Sequence, residues 1–274
     1  MLIPRQVSLV DGLKIDYVER GRSGMPVLLL PGLGDTWRSF EPVLAGLPAT
    51  IRLFALSQRG HGDSDRPLSG YLPSDYARDA VAFLDAVGVG RAVLVGHSSS
   101  TFTARLVALA HPARVAGLVL IGSPLTLVGN LAATELARST LDPLVDPVTE
   151  DFVRAFVAPT VGAAVPEDFL EAMVTESAKT PARVWRQTFD GLLAHDGANG
   201  LDRIAAPTLL VWGDADAIVP RPDQGALIAA IHSSRLLVYP GVGHSPHWER
   251  PTQFAADLAA FVDEVSSGDS RSRA

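Results

Sequence analysis

Apolar residues in this chain fall into short unbroken runs, and most runs are followed by a stretch with helical spacing. Pro26 to Leu30 is one such run. Ile51 to Leu56, the stretch from Ala92, Val115 to Ile121, Pro207 to Trp212 and Arg235 to Tyr239 are others. Apolar runs of this length without alternation predict strands buried on both faces. Ahead of them, Gln6 to Val10 and Leu13 to Glu19 flank Asp11-Gly12 and predict a β-hairpin. Helices are predicted over Arg38 to Leu47, Ser74 to Val87, Thr101 to Ala110, Asp223 to Ile231 and Thr252 to Val265. In the second of these, Ala77, Val81, Leu84 and Val87 share one face. This alternation predicts an α/β fold, a mostly parallel central sheet with helices on both faces.

The alternation stops between residues 125 and 203. That stretch carries helical segments broken by Pro143, Pro147, Pro159, Pro166 and Pro181, and no strong strand. It is expected to form a helical cap inserted into a core made of residues 1–124 and 204–266. Residues 267–274 are polar and are expected to be a disordered tail.

Composition narrows the function classes. A chain of 274 residues suffices for one α/β domain with an insertion, and 47% hydrophobic residues can fill its core. The net charge is −7 and no Lys/Arg cluster stands out, so no nucleic-acid partner is expected. Cysteine is absent, which removes disulfides, thiolate metal sites and a cysteine nucleophile together. The first thirty residues show no secretory leader, and the apolar runs fall far short of a membrane span. The expectation is a cytoplasmic protein, monomer or homodimer, without a membrane partner.

The stretch Ala92-Val93-Leu94-Val95-Gly96-His97-Ser98-Ser99-Ser100 carries the first chemistry. A buried strand runs to a glycine, a serine follows two residues later, and a helix begins behind it. This is the context of a Gly-x-Ser-x-Gly nucleophile elbow, in which a strained turn holds the serine hydroxyl clear of the sheet. Ser100 stands at the second glycine position. In such an elbow the amide of Ser99, directly after the nucleophile, is one oxyanion donor.

A serine alcohol needs a base and the base needs an orienting group. In a parallel sheet these belong at the C-terminal ends of later strands. There the chain offers Gly213-Asp214-Ala215-Asp216 and, further on, Gly243-His244-Ser245-Pro246-His247. The order is serine, aspartate, histidine, with two candidates for each of the last two. No His-Glu-x-x-His, P-loop or dinucleotide fingerprint is present, so no metal and no cofactor is expected.

From Leu13 to Val265 the chain resembles the α/β-hydrolase fold, in its capped serine esterase, lactonase and haloperoxidase-like branch. The Gly-Asp-x-Asp-x-x-Val-Pro stretch resembles the family's acid loop and implies Asp216 as the orienter; Asp214 is the rival, and otherwise caps or braces the turn. The Gly-x-Gly-His-x-x-x-x-Glu-x-Pro stretch implies His244 as the base, with His247 in a pocket wall or partly exposed loop. Pro31-Gly32-Leu33-Gly34 resembles the oxyanion loop and implies Leu33 as the second donor, although Pro31 stands where histidine is usual. Ser57-Gln58-Arg59-Gly60-His61-Gly62 resembles a structural loop that normally opens with aspartate.

The resemblance implies acyl transfer to water through Ser98, Asp216 and His244, on a small-molecule ester or lactone. Candidate pocket walls are Trp37, Phe102, Leu125, Trp185 and Trp248, with Phe152, Phe156, Phe169 and Phe189. Other readings share the scaffold: C–C bond hydrolysis, perhydrolysis, a slow hydrolase-like receptor for small molecules, or a cofactor-free oxygenase.

Overall fold

The apolar runs become the inner strands of one sheet. In the computed structural model, which describes residues 2–272, eight strands occur in the order β1-β2-β4-β3-β5-β6-β7-β8. They are β1 (Arg5–Ser8), β2 (Lys14–Arg20), β3 (Pro26–Leu30), β4 (Arg52–Ser57), β5 (Ala92–His97), β6 (Val115–Ile121), β7 (Thr208–Gly213) and β8 (Ser234–Tyr239). β1 pairs antiparallel with β2, and β2 antiparallel with β4; the pairings from β4 to β8 are parallel. The hairpin forms as expected, with its first strand starting one residue earlier and ending two residues earlier. β5, β6 and β7 are buried throughout, which is why they read as unbroken apolar runs.

Among the described residues the chain forms ten α-helices: α1 (Glu41–Leu44), α2 (Pro73–Ala86), α3 (Ser100–Ala110), α4 (Leu131–Leu136), α5 (Glu150–Val157), α6 (Glu167–Ala178), α7 (Ala182–Ala194), α8 (Arg221–Ala230), α9 (Pro246–Glu249) and α10 (Pro251–Ser272). One apolar layer joins Val27, Leu29, Val93 and Val95 to Phe254, Leu258 and Phe261 of α10. The opposite layer joins Leu28, Leu30 and Leu94 to Phe83 and Leu84 of α2 and Val107 of α3. The sheet is therefore covered on both faces. In α2 the buried stripe includes Tyr76, Ala80 and Phe83, while Val81 and Val87 are only partly covered.

Two expectations change. The helix expected over Arg38 to Leu47 splits into a 3-10 turn at Trp37–Phe40 and a single α turn, α1. Pro42 has no amide hydrogen to carry an α-helix across that junction. The tail expected to be disordered beyond residue 266 instead continues α10 to Ser272; residues 273 and 274 lie outside the described residues. No proline interrupts the segment after Pro251, and Gly268 alone is a weak helix breaker.

Residues between β6 and β7 hold α4 to α7, with a π-helical turn at Ala137–Leu141. They have a small core of their own, built on Leu141, Val148, Val153, Val174, Trp185 and Phe189. Arg105 of α3 ties this insertion down at both crossings. Its guanidinium donates to the carbonyls of Pro124 and Leu125 on the way out and of Gly197 on the way back. Among the described residues no helix is long and apolar enough to cross a membrane.

Candidate active site

β5 ends at His97 and α3 begins at Ser100, so Ser98 and Ser99 alone make the turn. Ser98 is the one non-glycine among the described residues held at positive φ, +51°. An L-residue pays strain there, and the surrounding hydrogen bonds hold it in place. The Ser98 amide donates to the Ile121 carbonyl at 2.9 Å, and Thr101 Oγ1 donates to the Ser98 carbonyl at 2.7 Å. Gly96 is required by space: a Cβ there would lie 2.5 Å from the Ser100 carbonyl oxygen.

Asp216 and His244 come from the loops after β7 and β8. Asp216 Oδ1 accepts the amides of Ile218 and Val219 at 2.8 and 2.9 Å. Its Oδ2 lies 2.8 Å from His244 Nδ1. That bond places the ring proton on Nδ1 and leaves Nε2 as the acceptor. His244 Nε2 is buried and has no hydrogen-bond partner within the described residues. The ring packs on Gly122, where a Cβ would stand 2.7 Å from Nδ1. Among the described residues the imidazole has no hydrogen bond to Asp214, whose Oδ1 accepts the Gly241 amide at 2.6 Å and braces the turn.

Ser98, His244, Leu33 and Ser99 line one cavity of about 540 Å³ between the sheet and the insertion. The Leu33 and Ser99 amides donate no hydrogen bond within the described residues. They are therefore free to face an anionic oxygen. Of the expected pocket walls, Phe102, Phe152, Phe156, Phe189 and Trp248 line this cavity. Trp37, Leu125, Trp185 and Phe169 do not. Trp37 belongs to the core under α1. Leu125 packs against the α2–α3 layer. Trp185 is sealed beneath Gly34, whose Cβ would fall 2.2 Å from the indole. Phe169 stacks edge-on against Trp248, 5.5 Å between centroids.

The sequence did not reveal what stands behind the site. His247 is fully buried, neither in a pocket wall nor exposed; its Nε2 lies 3.1 Å from Ser39 Oγ, and its ring is 4.5 Å from that of His97. Ser39 also bonds Asp35 Oδ2 and receives the Trp248 indole N–H. His97 Nε2 donates to the His244 carbonyl at 3.2 Å. Burial pushes the pKa of His97 down and that of His247 well down, helped for His247 by its neighbours His97 and His244. These rings are neutral supports for the loop that carries His244. On the other side of that loop, Glu249 accepts the amides of Gly243 and of Gly162 and Ala163 in the insertion. The His244 amide itself donates to the Thr160 carbonyl. Among the described residues, no group of three or more His, Cys, Asp or Glu could hold a metal ion.

The comparisons agree with this architecture. A family model described as the alpha/beta hydrolase fold matches residues 25–251, and the chain belongs to that family. It is 29% identical over 273 residues to a non-heme chloroperoxidase of Streptomyces lividans, covering 93% of this chain and 98% of that relative. It is 27% identical over 281 residues to a 2-hydroxy-6-oxononadienedioate/2-hydroxy-6-oxononatrienedioate hydrolase of Paraburkholderia xenovorans, covering 92% of each. The solved structure of an esterase from Rhodococcus sp. ECU1013 matches with a TM-score of 0.82 at 30% identity, over 96% of this chain and 99% of that one. Members of this family are hydrolytic enzymes.

Proposed function

We propose that this protein is a serine hydrolase that cleaves uncharged carboxylic esters or lactones through an acyl-enzyme. The observation that carries the reading is the ordered Asp216–His244 pair, whose buried Nε2 has no partner among the described residues and shares a cavity with Ser98 at its strained turn. Ser98 Oγ attacks the carbonyl carbon and gives its proton to His244 Nε2. The carbonyl oxygen becomes an oxyanion held by the Leu33 and Ser99 amides. The bond to the leaving alcohol breaks and His244 returns the proton to that oxygen. Water then attacks the acyl carbon with His244 again as base, releasing the acid and Ser98.

The cavity lining supports an uncharged substrate. Among the described residues it holds no Lys or Arg, and its acidic residues are Asp35 and Asp223. A pocket of this kind penalises a substrate carboxylate through desolvation and like charge. By its name, the Paraburkholderia hydrolase acts on a dicarboxylate; that substrate class fits this lining poorly. Aromatic and aliphatic walls at Phe152, Phe156, Phe189 and Leu136 suit an apolar acyl group.

The test is a kinetic panel of p-nitrophenyl esters of increasing chain length, with lactones and one succinate half-ester, on wild type and Ser98→Ala. Turnover of the neutral esters that is lost in the variant supports the reading. Turnover that survives in Ser98→Ala rules it out.

A further inference from the structure

We propose that Ser100 and Gln58 are positioning residues that set the spacing of the two oxyanion donors. This inference rests on the hydrolase reading above. Ser100 follows Ser99, whose amide is one donor. Its side chain reaches across to the loop that carries the other donor, Leu33. Ser100 Oγ donates to the Pro31 carbonyl. Gln58 Nε2 donates one hydrogen to that same carbonyl at 3.1 Å and the other to Ser100 Oγ at 2.8 Å. The triangle is closed: both amide hydrogens, the hydroxyl hydrogen and both lone pairs of the carbonyl are used. Ser100 is 1% exposed and Gln58 8%, so water does not compete for these bonds.

Planarity of the peptide unit turns this triangle into an aiming device. The Pro31 carbonyl fixes the Pro31–Gly32 peptide plane. The Gly32 carbonyl, accepting the Asp35 amide at 3.1 Å, fixes the next plane. That second plane contains the Leu33 N–H, so two successive clamped planes decide where it points. Gly32 would otherwise let the planes rotate freely. A serine at position 100 therefore links the elbow and the oxyanion loop directly, which a glycine there could not do. Its effect falls on the transition state, where charge builds on the oxygen, more than on the bound ester.

The experiment compares wild type, Ser100→Ala, Gln58→Met and the double variant on a neutral p-nitrophenyl ester, with a trifluoromethyl ketone as a tetrahedral-oxyanion mimic. The expected result for Ser100→Ala is a kcat loss of about 10- to 100-fold with KM within about twofold, the scale of a misaligned donor. Affinity for the ketone falls by a similar factor. Gln58→Met shows the same pattern. Because both side chains act on one carbonyl, the double variant loses little more than the worse single. Unchanged kcat in both singles, a rise in KM alone, or losses that multiply in the double variant would overturn the proposal. Gln58→Met keeps the test open should Ser100→Ala fail to fold. Absent Ser98-dependent turnover in wild type defeats the hydrolase reading and this proposal with it. Normal wild-type turnover with unaffected brace variants defeats this proposal alone.

Discussion

Asp216 Oδ2 lies 2.8 Å from His244 Nδ1, and both side chains are almost wholly out of water, 0% and 3% exposed. The carboxylate is itself held by two amides, so it cannot follow the ring if the ring turns. Asp216→Asn keeps the shape but presents an N–H or a weaker acceptor to Nδ1, favouring the tautomer that puts the proton on Nε2. The expected loss in kcat is on the order of 10³- to 10⁴-fold with the fold intact, the scale seen when a triad orienter is neutralised. Asp214→Asn, which braces only the turn, should cost far less. Steady-state kinetics on the two variants decides between the two aspartates, and equal losses would remove Asp216 from its role.

Glu249 couples the insertion to the loop of His244. One carboxylate receives amides from Gly243 on one side and Gly162 and Ala163 on the other. The backbones there are close: a Cβ on Gly162 would lie 2.7 Å from the Gly243 nitrogen. Gly162→Ala must push the two segments apart, and neither is a flexible side chain that can yield. Glu249→Ala strands three amides, at about 1–3 kcal/mol for each one left buried. Either change is expected to lower kcat by about tenfold or more through displacement of His244. Glu249→Ala should also lower Tm by at least about 4 °C. Wild-type kcat and Tm in both variants would show that the two segments are not coupled.

The elbow was legible because it is a local signal: a strand, a glycine, a serine and a helix occupy one short stretch. Topology pointed to the loops after the later strands, and the resemblance to the family, not the spacing, chose Asp216 over Asp214 and His244 over His247. The α/β sheet was legible as a local signal too, since buried parallel strands leave unbroken apolar runs. What the sequence hid joins segments remote in the chain: Ser100 with Pro31, Glu249 with Gly162, the His244 amide with Thr160. No periodicity records such pairs. The aromatic walls were only partly legible for another reason. Phe102 lines the cavity while Trp37 and Trp185 do not, yet all three are buried large apolar side chains, and hydrophobicity does not say whether a ring faces a cavity or a packed layer. His247 was misplaced because its neighbours, Ser39 and Phe40, lie more than 200 residues away.

Arg105 is a buried cation with no ion pair among the described residues. Burial lowers its pKa to about 9, so it stays charged at neutral pH. It is stabilised by the carbonyls of Thr101, Pro124, Leu125 and Gly197 and by the Phe102 ring, 4.4 Å away. Arg105→Met fills most of the volume but leaves those carbonyls without their donor. The expected cost is about 3 kcal/mol or more, a fall in Tm of roughly 6–12 °C for a domain of this size. Because both crossings of the insertion lose their anchor together, KM for long-chain esters should rise as well. A shift in Tm below about 2 °C would falsify the anchoring role.

Three buried histidines make stability depend on pH in a definite direction. His61, His97 and His247 are 1%, 4% and 0% exposed, and burial lowers the pKa of each in the folded state. Unfolded, each titrates near 6.5. Above that value both states hold the rings neutral and the groups leave stability unchanged. As pH falls below it, the unfolded chain takes up protons that the folded chain refuses. Stability therefore drops with falling pH until the folded pKa values are reached. The slope is up to about 1.4 kcal/mol per pH unit for each ring, or about 4 kcal/mol per unit for the three. Urea midpoints measured from pH 7.5 to 5 should fall accordingly. His247→Gln, whatever its effect on absolute stability, should flatten the profile by about one histidine's share. A midpoint independent of pH over this range, or a slope unchanged in His247→Gln, would mean that these rings are protonated in the fold.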